Sequence, residues 1–342
     1  MPWVPIRAPC FVPIRVLQSN LTLQAARGAS VHEIQNCHEA WFQPMDFTLR
    51  LISNSPAIIA AAETSFGRFG PAQPHEPPDF TFRLLAHDLD DGQPGQPVFR
   101  MEGSLLYQTT GRDSTLVADL ASGCAFGYFS ATTLANPAFF RWHFLELAFF
   151  MMLESRGLMG VHGAALAKNG QAVLLRAQSG GGKTTLAYAG ATQGQFQALA
   201  EDVVWLDGRY NLWWGMPWSF HLLPNAKKLF PELALYEPVL QTNGEMKLEV
   251  NLETIRAGST TVSAQPTAIV LVERLVGGKS RLEPLLPAAA RELWPVGSTG
   301  LEMKLPHHSA QIELLLKNKT YRLYFGDDIQ AAVDLLESVF EV

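Results

Sequence analysis

Residues 177 to 185 read AQSGGGKTT, and the residue types suit phosphate binding. Gly180, Gly181 and Gly182 lack a β-carbon, so the backbone there can curl with its N–H groups pointing inward around an anion. Lys183 supplies a charge able to bridge β- and γ-phosphates, and the Thr184 hydroxyl is a ligand for Mg²⁺. A helix starting at Lys183 would turn the positive end of its dipole toward the same anion. The pattern is G-x-x-x-x-G-K-[ST], the Walker A or P-loop, with Ala177 in place of the first glycine. It predicts ATP and Mg²⁺ as ligands, with Ser179, Gly180, Gly181, Gly182, Lys183, Thr184 and Thr185 as the nucleotide-binding set. A glycine-rich turn that merely precedes Lys-Thr would look alike, but here the flanks are a strand and a helix, the arrangement that the chemistry requires.

Magnesium also needs an acidic partner near the end of a neighbouring strand. Three candidates present themselves: Glu201-Asp202 in ALAEDVVWLD, Asp207 after Val203 to Leu206 in the manner of a Walker B strand, and Glu273 closing AIVLVE. Asp207 before Gly208 equally suits a plain turn. Composition does not choose among them. His162, in GVHGA, precedes the loop, and a strand histidine flanked by glycine is more often structural than catalytic.

The elements that must hold these residues follow from pattern. Val161 to Ala167 and Gln171 to Arg176 are apolar runs joined by Lys168-Asn169-Gly170, whose Asn-Gly predicts a tight hairpin delivering the chain into the glycine loop. Lys183 to Ala191 reads as a helix ended by Gly194, and Phe196 to Leu206 as the next strand. Further on come an Asn243-Gly244 turn, a strand Ala268 to Val272, a strand Tyr321 to Phe325 and a helix Asp327 to Phe340. Upstream, Asp46 to Ile52, Phe80 to Leu85, Val98 to Thr109, Thr115 to Leu120 and Cys124 to Phe129 are strand-like, separated by loops rich in Gly, Pro and Asp. Phe139 to Leu153 is nearly all apolar but is interrupted by Arg141, His143 and Glu146 and falls short of a bilayer span. It predicts a buried helix capped by Asn136, with Pro137 at its first turn and Gly157 at its end.

Over 342 residues, 47% hydrophobic and 17% charged residues describe a packed globular chain with room for two domains. A net charge of −6 gives no footprint for nucleic acid, and no basic run marks a membrane anchor. Cys10, Cys37 and Cys124 are too few and too scattered for a disulfide framework or zinc site, which fits a reducing cytoplasm. The proline-punctuated first residues do not resemble a secretory signal. Asp88, Asp90 and Asp91 lack EF-hand spacing, and His32, Cys37, His38 and His307-His308 form no complete ligand set.

Taken in order and spacing, GVHGAAL, AQSGGGKTTLA and ALAEDVVWL resemble the HPr serine kinase/phosphorylase family and its HprK-related kinases, over about Gly160 to Leu206. The resemblance implies an α/β fold with a mixed sheet, like the phosphoenolpyruvate carboxykinase core, for residues 136–342. Residues 1–135 carry none of that family's motifs and are expected as a mostly antiparallel α+β region, a candidate for substrate recognition. It further implies MgATP-dependent phosphorylation of a serine hydroxyl on a protein or peptide, a ribosomally made peptide among the candidates. The family's acidic pair, usually Asp-Asp, falls on Glu201 and Asp202. Glu201 takes the proton-accepting position, Asp202 joins Thr184 on the metal, and His162 stands beside the phosphates with Lys183. Glu201 puts its carboxylate one methylene further out than the family's aspartate, and the glycine- and arginine-containing signature of the reverse reaction is not found. Lys227, Lys228, Lys247 and Arg256 are candidates for the cation that assists transfer, Lys247 foremost. A small-molecule kinase and a non-catalytic nucleotide-binding module are the alternatives, and homo-oligomerisation is left open.

Overall fold

The structure is a computed structural model, and it describes residues 37–341 apart from 71, 73, 75–76, 89–94, 112, 242–243 and 295–305. The expectations on Cys10, His32, Asp90, Asp91 and Asn243 lie outside these residues.

The first region is a seven-stranded sheet of β1 (His38–Phe42), β2 (Leu49–Ser53), β3 (Phe80–His87), β4 (Val98–Glu102), β5 (Leu105–Thr110), β6 (Ser114–Asp119) and β7 (Cys124–Ser130), in the order β1-β2-β3-β7-β6-β5-β4. The β2–β3 and β3–β7 pairs are parallel and the others antiparallel. Period-two alternation puts Phe80, Phe82 and Leu84 on the inner face. The run Val98 to Thr109, expected as one strand, is a hairpin, because Gly103 takes φ +60° and reverses the chain.

Two helical stretches cover that inner face. The helix Pro56–Phe66 follows Ser55 with proline in its first turn and buries Ile58, Ala61, Ala62, Ser65 and Phe66 along one stripe. Sequence reading named no helix there, although Ser-Pro before an alanine run is a start signal. The apolar stretch expected as one buried helix is continuous but of changing pitch: Pro137–Phe140, a wider π turn over Arg141–Glu146, then Leu147–Ser155. Its ends behave as expected, with Asn136 accepting from the Phe139 amide and Gly157 at φ +88°. Its buried residues Phe144, Phe149 and Met152 belong to the same core as Phe66, Phe80 and Phe82. Truncating Phe149 to alanine would cost about 3–5 kcal/mol.

The chain then enters a nine-stranded mixed sheet through β8 (Met159–His162), β9 (Ala164–Lys168), β10 (Gln171–Arg176), β11 (Gln197–Ala200), β12 (Val203–Asp207) and β13 (Leu212–Trp214). A small sheet follows, of β14 (Phe220–Leu222), β15 (Pro238–Leu240) and β16 (Met246–Val250), and the large sheet is completed by β17 (Ser263–Arg274), β18 (Arg281–Leu285) and β19 (Lys319–Phe325). The large sheet runs β11-β9-β10-β17-β13-β12-β8, with β19 between β17 and β18. Strands β10, β17 and β19 are mutually parallel. Both faces of that centre are covered, so β10 and the middle of β17 are continuous apolar runs. On one face lie the helices Lys183–Thr192 and Ile329–Ser338, and on the other core residues of Pro287–Glu292 and Pro306–Leu315. Phe220, Leu222, Leu248 and Val250 of the small sheet join the core of the first of these helices.

Two strands expected as continuous are broken at adjacent places. Between β8 and β9 the chain changes pairing partner at Gly163, and between β11 and β12 it does so at Glu201-Asp202. The Gly163 amide donates to the Asp202 carbonyl at 2.7 Å and joins the two breaks. A β-carbon at Gly163 would lie 2.8 Å from the Leu175 carbonyl, which holds this crossing to glycine. Both halves of each broken strand are strand-like, so composition does not announce the break.

Candidate functional site

The glycine loop leaves the end of β10 and enters the helix Lys183–Thr192. The hairpin that delivers it turns at Asn169 (φ +53°) and Gly170 (φ +76°), the left-handed pair that a two-residue turn requires. Within the loop Gly180 (φ +76°) and Gly182 (φ +91°) hold conformations that side chains resist. The first helical bond runs from the Leu186 amide to the Gly182 carbonyl, so the amides of residues 183–185 are directed out of the helix end into the loop. Ser179 and Gly180 form its exposed crest, Gly181 and Thr185 are half-buried, and Lys183 is 8% exposed, its Nζ donating to the Ala177 carbonyl at 3.0 Å.

The acidic pair sits opposite this helix end. Thr184 Oγ1 donates to Glu201 Oε1 at 2.8 Å, and His221 Nδ1 lies 3.2 Å from Glu201 Oε2. Asp202 has a different partner, its Oδ1 lying 3.0 Å from His162 Nδ1. The sequence reading gave Thr184 and Asp202 to the metal and Glu201 to the proton. The contacts couple these residues differently, Thr184 with Glu201 and Asp202 with His162. Asp202 is also the more open acid, its side chain 46% exposed against 13% for Glu201.

Neighbouring groups shift two members of the cluster. Burial pushes the Asp202 carboxyl up, but the His162 contact and the charges of His162, Lys183 and Lys247 outweigh it and hold the group below the usual carboxylate range. Burial pulls the His221 imidazole down, but hydrogen bonding to Glu201 and the charges of Glu201 and Glu249 outweigh it and leave its pKa raised. Glu249 faces His221 directly across the β14–β16 ladder. Lys247, on the same strand, pairs with Glu245 at 3.0 Å.

The other candidates are placed elsewhere. Asp207 is buried at the far end of β12, both carboxylate oxygens taken by the Arg209 guanidinium at 2.9 and 2.7 Å, so it serves the turn. Glu273 pairs with Arg322. Arg256 donates to the Gly194 and Phe196 carbonyls and Lys227 to the Ala234 carbonyl at 3.3 Å, while Lys228 is exposed. Of these cations only Lys247 acts on the acidic pair.

Sequence reading missed two residues. His221 stands 20 positions from Glu201, and only the folding of the small sheet over the helix Lys183–Thr192 brings them together. Arg176, the last residue of β10, is fully buried, donates to the His162 carbonyl and stacks on Trp294 at 4.7 Å. An arginine closing an otherwise apolar strand was its one visible signal.

No family model matches this chain, and no curated protein matches it. Among solved structures it is similar to the Hpr(Ser) kinase/phosphatase from Coxiella burnetii, with 12% identity over 53% of this chain and 95% of that one and a TM-score of 0.28. A likeness of that size carries no argument by itself. The architecture stands as mixed α/β, and no helix among the described residues is long and apolar enough to cross a membrane.

Proposed function

We propose that the chain is an ATP-dependent kinase that transfers the γ-phosphoryl group to a hydroxyl, with a serine of a protein or peptide as acceptor. The observation that carries this reading is the contact between Thr184, first-turn residue of the glycine-loop helix, and Glu201, with Asp202 and His162 beside them. A generic phosphate loop needs no such acids. A phosphoryl transferase needs an ionised carboxylate near the cradle and another to receive the acceptor's proton.

The donor set fits magnesium. Thr184 and Glu201 offer hard oxygens. That suits a cation that takes one or two carboxylates and completes its shell from phosphates and water. Thr184 and Glu201 would hold it, and it would supply neutralisation of the charge on the β- and γ-oxygens. The loop amides and Lys183 seat the triphosphate. Asp202, ionised and the most open group of the cluster, takes the acceptor's proton as the hydroxyl oxygen bonds to the γ-phosphorus and the bond to the β–γ bridging oxygen breaks. His162 holds that carboxylate in place, and Lys247 supplies positive charge nearby. The first region, whose core also takes in Trp205 of β12, is the natural place for acceptor recognition.

Purified protein incubated with radiolabelled ATP and peptide or metabolite pools tests this. Labelling of a peptide pool that Lys183→Ala abolishes is the expected result. Transfer that survives Lys183→Ala would sink the reading, and tight ATP binding with no transfer, indifferent to Glu201→Gln, would make the chain a binding module.

A further inference from the structure

A cavity of about 570 Å³ is lined by Arg68 from the first region and by Trp218, Glu253, Thr260, Thr261 and Val262 from the second. That volume falls within the ~300–1,000 Å³ of ligand sites. Its aromatic wall is fixed in place. The Trp218 ring is 8% exposed, its indole donates to the Ser65 carbonyl at 2.8 Å, and Phe69 packs edge-on against it at 5.4 Å. The Arg68 guanidinium lies over the same ring, 5.2 Å from its centre.

The other polar side chains of the lining are already used. Glu253 accepts from the Gly258 and Thr260 amides at 2.7 and 2.9 Å and from the Thr260 hydroxyl, and the Thr261 hydroxyl donates to the Ser263 carbonyl at 3.2 Å. Arg68 differs. Among the described residues it makes no hydrogen bond or ion pair, although its guanidinium is stacked. A guanidinium whose donors are open and whose plane rests on an aromatic face suits a planar anion taken through two parallel bonds. A carboxylate has that shape. The Arg68 charge also acts on Glu253, so the pocket already holds one negative charge and tolerates a monoanion better than a doubly charged phosphate.

Two walls of the cavity lead to the acidic pair. The Thr261 amide donates to the Ala198 carbonyl at 2.9 Å, and Ala198 stands three residues before Glu201 on β11 and its extension. Trp218 stands three residues before His221, whose Nδ1 lies 3.2 Å from Glu201. Three extended residues cover about 10 Å. We propose that this cavity takes a carboxylate of the acceptor peptide on Arg68, about three to five residues along the extended peptide from the hydroxyl to be phosphorylated. This rests on the reading of the chain as a kinase of a protein or peptide, and it gives the first region a defined part in choosing the acceptor.

The test is fluorescence anisotropy of the full chain with short tagged peptides and no ATP. Each peptide carries one serine among alanines and glycines, with a single aspartate, or asparagine in its place, stepped along the sequence, and each is made with a free and an amidated C-terminus. A carboxylate at the right spacing is expected to tighten binding about tenfold or more, the worth of one charge-assisted pair. A side-chain carboxylate tightens binding with either terminus, whereas a chain end does so only when free. Arg68→Ala should remove the preference, and Arg68→Glu should turn it toward lysine-bearing peptides, a reversal that a merely structural residue would not produce. Arg68 is exposed, so neither variant opens the core. No binding, no preference for a carboxylate at any position, or a preference that survives Arg68→Ala would overturn the proposal. A carboxylate preference that Arg68→Ala abolishes, in a chain that transfers no phosphoryl group, would keep the peptide site and remove the kinase.

Discussion

Two polar clusters in this molecule use similar groups for opposite ends. In the first region Glu146, 4% exposed, receives the Ser65 hydroxyl at 2.6 Å and Arg141 at 3.1 Å, and the Trp218 indole donates to the Ser65 carbonyl at 2.8 Å. The carboxylate is sealed and its partners come from helices that enclose it. In the second region Glu201 likewise receives a hydroxyl, from Thr184, and faces a basic group, His221. There the neighbouring Asp202 stays open and the cluster lies at a break in the sheet, against a helix end. A closed carboxylate network fixes a fold, whereas one left open beside a glycine-rich helix start is available for chemistry. Both were visible in the sequence, Glu146 as an interruption of an apolar stretch and Glu201 as an acid following the glycine-loop helix.

The sharpest way to break this comparison is to neutralise the open acid. Asp202→Asn keeps the shape and removes the proposed proton acceptor, so kcat for the proposed phosphoryl transfer should fall by about 10²–10⁴-fold while urea unfolding is nearly unchanged. Retention of transfer would return the proton to Glu201, as sequence reading had it.

A smaller effect, on stability, should separate the two glutamates. Glu146→Ala leaves Arg141 facing an emptied, largely buried site and should lower unfolding free energy by about 2–3 kcal/mol. Glu201→Gln should cost less than about 1 kcal/mol yet reduce the proposed Mg²⁺-dependent transfer. Equal stability losses for both, read from denaturant midpoints, would erase the distinction.

The smallest effect concerns pH. Burial pushes the Asp207 carboxyl up, but its bonds to Arg209 outweigh that and leave it below the usual range. A depressed carboxylate contributes stability that is complete above its unfolded value of about 3.9 and is lost as pH falls through the folded value. Asp207→Asn should therefore narrow the stability gap to the wild type as pH drops below about 4, followed by circular dichroism. A gap constant across that window would mean that Asp207 acts through shape alone.

How much of this was legible follows from how local each signal is. The loop, its hairpin and its helix are short-range: Asn169-Gly170 forces a turn, the glycines force a curl, and the next alanines continue as a helix. Glu201, Asp202 and His162 were singled out through the family resemblance, but their pairing was not, since it depends on two strand breaks that composition hides. His221 was invisible, because its role is created by a small sheet of remote segments packing onto the glycine-loop helix.

The bond from the Gly163 amide to the Asp202 carbonyl has a consequence for how such a site could change over time. It anchors the acidic pair through the main chain, whatever side chains those positions carry. An aspartate and a glutamate exchanged at residue 201 would start from the same point and differ only in reach, so carboxylate length there acts as an adjustable spacer between helix end and reacting group, open to retuning without rebuilding the sheet.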